Sequence, residues 1–348
     1  MLFQPDLFSI SRPEWVKVSE DSLSTLDNVL TRLPKWFLPQ EAFPEQSGAL
    51  GINSSNFRLY TSKGVFLLKR WSDQTAHQDI ENTLAIMKWL ASCYLPVPVP
   101  VDLYKGSFTL KSNSATWSVF PFIEGDYFSG VGDELGLAAE ITGRIMQTLS
   151  FLPKSLMPNV APIPMTNSDG KILQKFNECS GDWERMLGKE QTELLAEWWP
   201  ILMEEWHTLN SINLVAGPIQ ASHFDLHPHN ILMREGRIAA ILDFEACKVM
   251  PIGFALGFAA MKQCRQALVA STLPDNLRSI GSHYVARLVK ACPDAHKIVA
   301  NFGNLAVAET LRRICIILRL NLESGEKKWN KVLPIQLNHL GEARALFG

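Results

Sequence analysis

An excess of charge of either sign is the first thing this sequence lacks. Lys and Arg number 33 against 35 Asp and Glu, a formal charge of −2, which gives no electrostatic case for binding nucleic acid or an anionic membrane. Cysteine is sparse too. Cys93, Cys179, Cys247, Cys264, Cys292 and Cys315 are scattered without a Cys-x-x-Cys pair, which argues against a disulfide framework and a thiolate zinc site and fits a reducing compartment. The longest apolar run, Pro251 to Met261, is too short to span a bilayer. The first residues, Met-Leu-Phe-Gln-Pro-Asp, have neither the basic region nor the apolar core of a secretory signal. Internal repeats and low-complexity tracts are missing as well. These absences leave a cytoplasmic protein whose partner is a small molecule. Nothing in the composition demands a dimer.

What is present is enough material for about two domains, with 47% hydrophobic residues. Residues 1–46 read as a lead-in, with a helix from Ser22 to Leu33 and a connection punctuated by Pro34, Pro39 and Pro44. From Gly48 the pattern turns to strand. Phe57–Tyr60, a Thr-Ser-Lys-Gly64 turn and Val65–Trp71 predict a hairpin, with Gly64 supplying the turn's unusual backbone angle. Ile80, Leu84, Met87 and Leu90 recur at helical spacing, so a helix capped by Ser72 or Asp73 is expected to run to about Ala91. Further strands are expected at Val101–Tyr104 and Thr116–Phe120. Beyond Gly125 the periodicity is helical, at Glu134–Ser150, Gly170–Cys179, Glu190–Leu209, Arg278–Ala291, Gly303–Leu322 and Leu333–Ala345. The expectation is therefore an α+β bilobal chain: a small β-rich N-lobe (1–120), a hinge (121–125) and a larger helical C-lobe (126–348). A cleft between the lobes is where a ligand would sit.

Within the helical half stands His223-Phe-Asp225-Leu-His-Pro-His-Asn230, followed by a short hairpin and Ile-Leu-Asp243-Phe-Glu245. The frame His-x-Asp-x-x-x-x-Asn is the order in which kinase catalytic loops carry a base and a metal ligand. Asp225 is positioned to orient an acceptor hydroxyl and take its proton late in the reaction. Asn230 offers a neutral oxygen suited to Mg²⁺. The tight hairpin through Arg-Glu-Gly236-Arg would bring Asn230 within roughly 5 to 8 Å of Asp243, around one metal. His223 is read as bracing the loop, and His227 and His229 as ordinary loop residues. A rival reading takes His223, His227 and His229 as a zinc cluster of a metallohydrolase. Pro228 interrupts any helix that would align them, and no Glu sits as in His-Glu-x-x-His.

Lys69 lies on a strand face with Val65, Leu67 and Trp71, and a lone ammonium there needs an anion. ATP phosphates fit, with Glu81 on the next helix, or else Asp79, as the steadying carboxylate. Ser47–Asn56, rich in Gly, Ser and Asn, is the expected phosphate-covering loop, with Ser54 and Ser55 among its donors. Pro121 has no N–H, so an adenine donor at the hinge would come from Phe122 or Ile123. The purine would lie between Ile52, Val65 and Leu67 above and Ile241 or Leu242 below. Acids after the hinge (Glu124, Asp126, Asp133, Glu134) and the tryptophans at 183, 198, 199 and 206 read as a solvated face and as core. An alternative within the same fold is a nucleotide-binding module without catalysis.

The residues His223–Leu232, Ile241–Glu245, Leu68-Lys69 and Phe122-Ile-Glu-Gly125 resemble the aminoglycoside phosphotransferase and choline kinase family. The resemblance covers about residues 47 to 260. It implies a protein-kinase-like fold and ATP-dependent transfer of the γ-phosphoryl group to a hydroxyl, with Asp225 as base and Asn230 and Asp243 holding magnesium. Two positions depart from it. Phe224 stands where such proteins commonly have glycine, and Pro251–Ala259 lacks the acid they carry about a dozen residues after the metal aspartate. The catalytic loop must therefore be braced by another group.

Overall fold

The computed structural model describes residues 3, 12–18, 20–35, 45–47, 55–104, 106–112, 115–161, 163–270 and 277–348. The first half builds a six-stranded antiparallel sheet from β1 (Trp15–Lys17), β2 (Glu45–Ser47), β3 (Ser55–Thr61), β4 (Gly64–Arg70), β5 (Leu110–Ser112) and β6 (Ala115–Pro121), in the order β1-β2-β3-β4-β6-β5. Helix α1 (Glu20–Leu30) and helix α2 (His77–Ser92) accompany it. The β3–β4 hairpin turns at Gly64, whose φ of +118° suits a residue without a Cβ. Alternation along β4 sends Leu68 into a core with Phe57, Leu59, Trp117 and Val119, and turns Lys69 to the opposite face.

Several boundaries differ from expectation for identifiable reasons. The lead-in contributes two strands, β1 and β2, each too short to show an alternating pattern. Helix α2 begins at His77 because Asp73 is paired with Arg70 (2.9 Å), leaving Ala76 at the N-cap without a side-chain cap. Val101–Tyr104 is not a strand, although Val101 N–H donates to Val119 O; the edge strand is β5 instead.

Beyond Gly125, β7 (Asp126–Tyr127) crosses to the second half and pairs with its hairpin. Helices α3 (Glu134–Leu149), α4 (Asn167–Glu178), α5 (Trp183–Leu187) and α6 (Lys189–Ser211) lead to strand β8 (Ile219–His223), the hairpin β9 (Ile231–Arg234) and β10 (Arg237–Ile241), and strand β11 (Cys247–Pro251), which pairs with β8. Four helices close the chain: α7 (Ile252–Ala270), α8 (Leu277–Ala291), α9 (Phe302–Glu323) and α10 (Leu333–Phe347). Helix α7 contains the apolar run noted above and is buried on nearly every side, packed on α9. The tryptophans belong to this core: Trp183 donates to Phe176 O at 2.7 Å and packs against Phe176 and Trp199. All six cysteines are free thiols. Among the described residues no helix is long and apolar enough to cross a membrane.

Candidate active site

Three strand ends converge on the motif residues. Strand β8 delivers His223, which is fully buried, and the chain then turns through Asp225 and a 3-10 turn (Pro228–Asn230) into β9. The hairpin pairs Ile231 with Ile241, and Leu242 N–H donates to Asn230 O at 2.9 Å, so Asn230 and Asp243 flank one end of the ladder. His223 links the two segments. Its Nε2 lies 2.8 Å from Leu242 O, and its Nδ1 accepts the Asp225 N–H at 3.3 Å. A carbonyl can only accept, so Nε2 carries the proton and Nδ1 none. This is the neutral tautomer, in keeping with burial lowering the His223 pKa. Asn230 adds a second tie, its side-chain N–H donating to Asp225 O at 2.7 Å.

The Asp225 carboxylate is a quarter exposed and meets two side chains. Arg313 Nη2 donates to Oδ1 at 3.0 Å, and His227 Nε2 stands 3.5 Å from Oδ2. Burial alone would raise the Asp225 pKa. Arg313, with smaller contributions from the histidines, overrides it and holds the group at about 2. His227 is driven the other way: burial, only partly opposed by Asp225, depresses it to about 4. His227 therefore faces the carboxylate as a neutral ring, and is more than an ordinary loop residue.

Lys69 comes down from β4 onto the turn after β10. Its ammonium pairs with Glu245 and lies 3.8 Å from Asp243. Burial works against the charge, but these two carboxylates outweigh it and raise the Lys69 pKa. Glu245, rather than the expected Glu81, is thus the carboxylate that pairs with Lys69. Glu81 instead accepts from Thr109 Oγ1 at 2.7 Å and sits 3.9 Å from His77, while Asp79 accepts from Asn159. The reason is local: the 3-10 turn Phe244–Ala246 carries Glu245 beneath β4, whereas the part of α2 bearing Glu81 faces the connection to β5.

The hinge also corrects one expectation. Phe122 N–H already donates to Val65 O at 3.0 Å, extending the β4–β6 ladder by one bond. Phe122 is thereby removed as an adenine donor, and Ile123 remains. The Phe122 ring packs edge-on to Trp15 and under the Arg58 guanidinium. Gly125 is required here, since a Cβ would fall 2.8 Å from Met233 O on β9. Three of the four acids that follow have structural partners: Asp126 with Arg12, Asp133 with Arg287, and Glu134 with the N–H groups of Ser129 and Gly130. Ser54 and Ile52 lie outside the described residues, and of Ser55 only the backbone, opening β3, is described.

The donor set suits a hard divalent cation. Asp243, in the left-handed conformation at φ 62°, has its pKa raised by burial, with the neighbouring Glu245 and Asp225 carboxylates adding to the effect against Lys69. Such a concentration of carboxylate favours a cation. The Asn230 amide nitrogen is committed to Asp225 O, which leaves its oxygen as the acceptor. Among the described residues no group of three or more His, Cys, Asp and Glu is arranged to hold a metal of any kind, so a cation here would rest on Asn230 and Asp243 together with its own ligands. The rings of His223 and His227 are engaged as described above.

Comparison with known proteins follows the same lines. Residues 48–287 match the model of the phosphotransferase enzyme family. The homoserine kinase of Bradyrhizobium diazoefficiens is 32% identical over 215 residues, covering 58% of each chain, and that of Bartonella henselae is 26% identical over 202 residues, covering 56% of each. The chain thus matches a little over half the length of these relatives. Among solved structures, a spectinomycin phosphotransferase complexed with ADP and spectinomycin superposes with a TM-score of 0.63 at 11% identity, over 95% of this chain and 98% of the other. Choline kinase from Cryptosporidium parvum gives 0.54 at 13% identity, over 93% and 95%. The bilobal α+β architecture is therefore protein-kinase-like.

Proposed function

The chain belongs to the phosphotransferase enzyme family, and from that premise we propose that it transfers the γ-phosphoryl group of ATP to a hydroxyl of a small molecule. One observation carries this reading. Asp225, Asn230 and Asp243 lie at the ends of neighbouring strands, tied together by His223, with the Lys69 ammonium reaching Asp243 and Glu245 from the opposite lobe. Residues 1–120 would hold the nucleotide, 121–125 the adenine edge, and 126–348 the acceptor.

In the proposed reaction the acceptor hydroxyl hydrogen-bonds to the Asp225 carboxylate and its oxygen attacks the γ-phosphorus. The bond from that phosphorus to the β–γ bridging oxygen breaks, ADP departs, and the hydroxyl proton passes to Asp225. A carboxylate held at a pKa of about 2 is a weak base. It orients the oxygen from the start and receives the proton only as the new P–O bond forms. Lys69 would turn from Asp243 to the phosphates, with Glu245 steadying it. Asn230 and Asp243 are the residues that would hold magnesium, which when bound neutralises phosphate charge.

The cytoplasm, where ATP is abundant, is the proposed compartment. The homoserine kinase relatives favour a hydroxylated amino acid as the first acceptor to try; aminoglycosides and amino alcohols follow from the structural neighbours. The test is a screen of such acceptors for stimulated MgATP turnover by the purified protein. We expect one hydroxylated class to raise ADP release well above the acceptor-free rate. A protein that neither hydrolyses nor binds MgATP would overturn the reading.

A further inference from the structure

Arg313 sits on α9, 88 residues along the chain from Asp225 and within no recognisable motif, yet it is the cation that meets the base. Its seat is built from three sides. Glu309, one turn earlier and fully buried, accepts Arg313 Nε at 2.7 Å. The ring of Phe258 on α7 lies 3.8 Å from the guanidinium carbon, and that of Phe224, beside the base, lies 5.7 Å from it. Arg312 completes the cluster, donating to both Glu309 oxygens at 2.8 Å and lying over Phe224 at 4.6 Å.

Two acids and two arginines make this cluster neutral as a unit, and each charge depends on the others. The planar guanidinium spans two carboxylates at once, through Nε to Glu309 and Nη2 to Asp225, which a lysine ammonium cannot do with fixed geometry. Arg313 Nη2 also approaches Phe224 O at 3.5 Å, next to the base. A further hold on the loop comes from Gln263 on α7, which donates to Leu226 O at 2.9 Å. The loop is thus fastened to α7 and α9 on both sides of Asp225, and Phe224 supplies an aromatic face to the arginines. The other groups facing the carboxylate are His227 and His223 from the loop itself and Asp243 from the hairpin.

We propose that Arg313 is a positioning residue for the base: seated by Glu309, Phe258 and Phe224, it fixes the Asp225 carboxylate in the orientation from which the acceptor hydroxyl is taken. This inference rests on the phosphotransfer reading of Asp225. It acts through the carboxylate, so its loss moves the behaviour of Asp225 rather than the binding of ATP.

Two measurements test it, one independent of activity. In ¹³C-carboxyl NMR the Asp225 signal, identified by its absence in Asp225→Asn, stays ionised down to pH 4 in the unmodified protein. In Arg313→Gln burial is opposed only by the smaller effect of the histidines, and the titration moves to clearly higher pH. Arg313→Lys retains a charge and gives a smaller upward shift. Glu309→Gln, which unseats Arg313 without removing it, shifts it as well and serves if Arg313→Gln fails to fold. In MgATP turnover, with the acceptor that gives the highest rate in the screen, Arg313→Gln loses about a hundredfold in kcat, the scale expected for a misplaced reacting group. KM for ATP stays within about twofold of its original value. An unchanged Asp225 titration in folded variants, or a loss confined to KM for ATP, would overturn the proposal. Absence of turnover by the unmodified protein would instead count against the phosphotransfer reading, with the NMR titration still deciding whether Arg313 governs Asp225.

Discussion

The histidine beside the base has a pH signature of its own. His227 is depressed from 6.5 to about 4 by burial, so the folded protein disfavours its protonation while the unfolded chain accepts it. A base with a lowered folded pKa contributes stability that is complete above about pH 6.5 and is lost as pH falls through about 4. The shift corresponds to on the order of 3 kcal/mol across that window. Asp225 acts at lower pH: its carboxylate is depressed to about 2, so its contribution is present above about pH 4 and fades only below it. Denaturant unfolding of His227→Gln between pH 7 and pH 4 should therefore show a flatter loss of stability than the unmodified protein. Parallel curves would mean that His227 is protonated in the folded state. The HxDxHxHN spacing already placed a histidine two residues from the base. What it could not show was which way the ring would point, because that depends on burial under the helices.

Elements explain why part of the site could be read from sequence and part could not. Asp225, Asn230 and Asp243 come together through a strand end, a single 3-10 turn and a two-stranded hairpin, so spacing along the chain sets their geometry. Glu245 was equally near, two residues beyond Asp243, but α2 offered a plausible acid in Glu81 and only the register of β4 over the 3-10 turn decides between them. The expected difference is sharp. Glu245→Gln should raise KM for ATP by about tenfold, the scale of a hydrogen bond to a charged group, while Glu81→Gln leaves it within about twofold. The reverse pattern in steady-state kinetics would restore Glu81 to the role. Arg313 gave no local signal at all, since α9 reaches the loop only through tertiary packing. Helix α7 hid for a different reason: buried on nearly every side, it has no amphipathic period to read. Strand β1, three residues long, fell below the length at which alternation is visible.

At the scale of the whole molecule, a sheet carrying Lys69 meets a helical body carrying Asp225 and Asp243, and α7 and α9 fasten the Asp225 loop to that body. The passage from strands to helices was legible from the change of hydrophobic period near Gly125. The brace beneath the loop was not, because residues far apart in sequence build it. Asp225 taking the acceptor hydroxyl is the step on which the proposed function depends. The most direct test is phosphoryl transfer from MgATP by Asp225→Asn, measured as phosphorylated product with the acceptor identified by the screen. We expect kcat to fall by about 10²- to 10⁴-fold, the range for a positioned acid–base group, with ATP affinity retained. Transfer at the unmodified rate by a folded Asp225→Asn protein would contradict it.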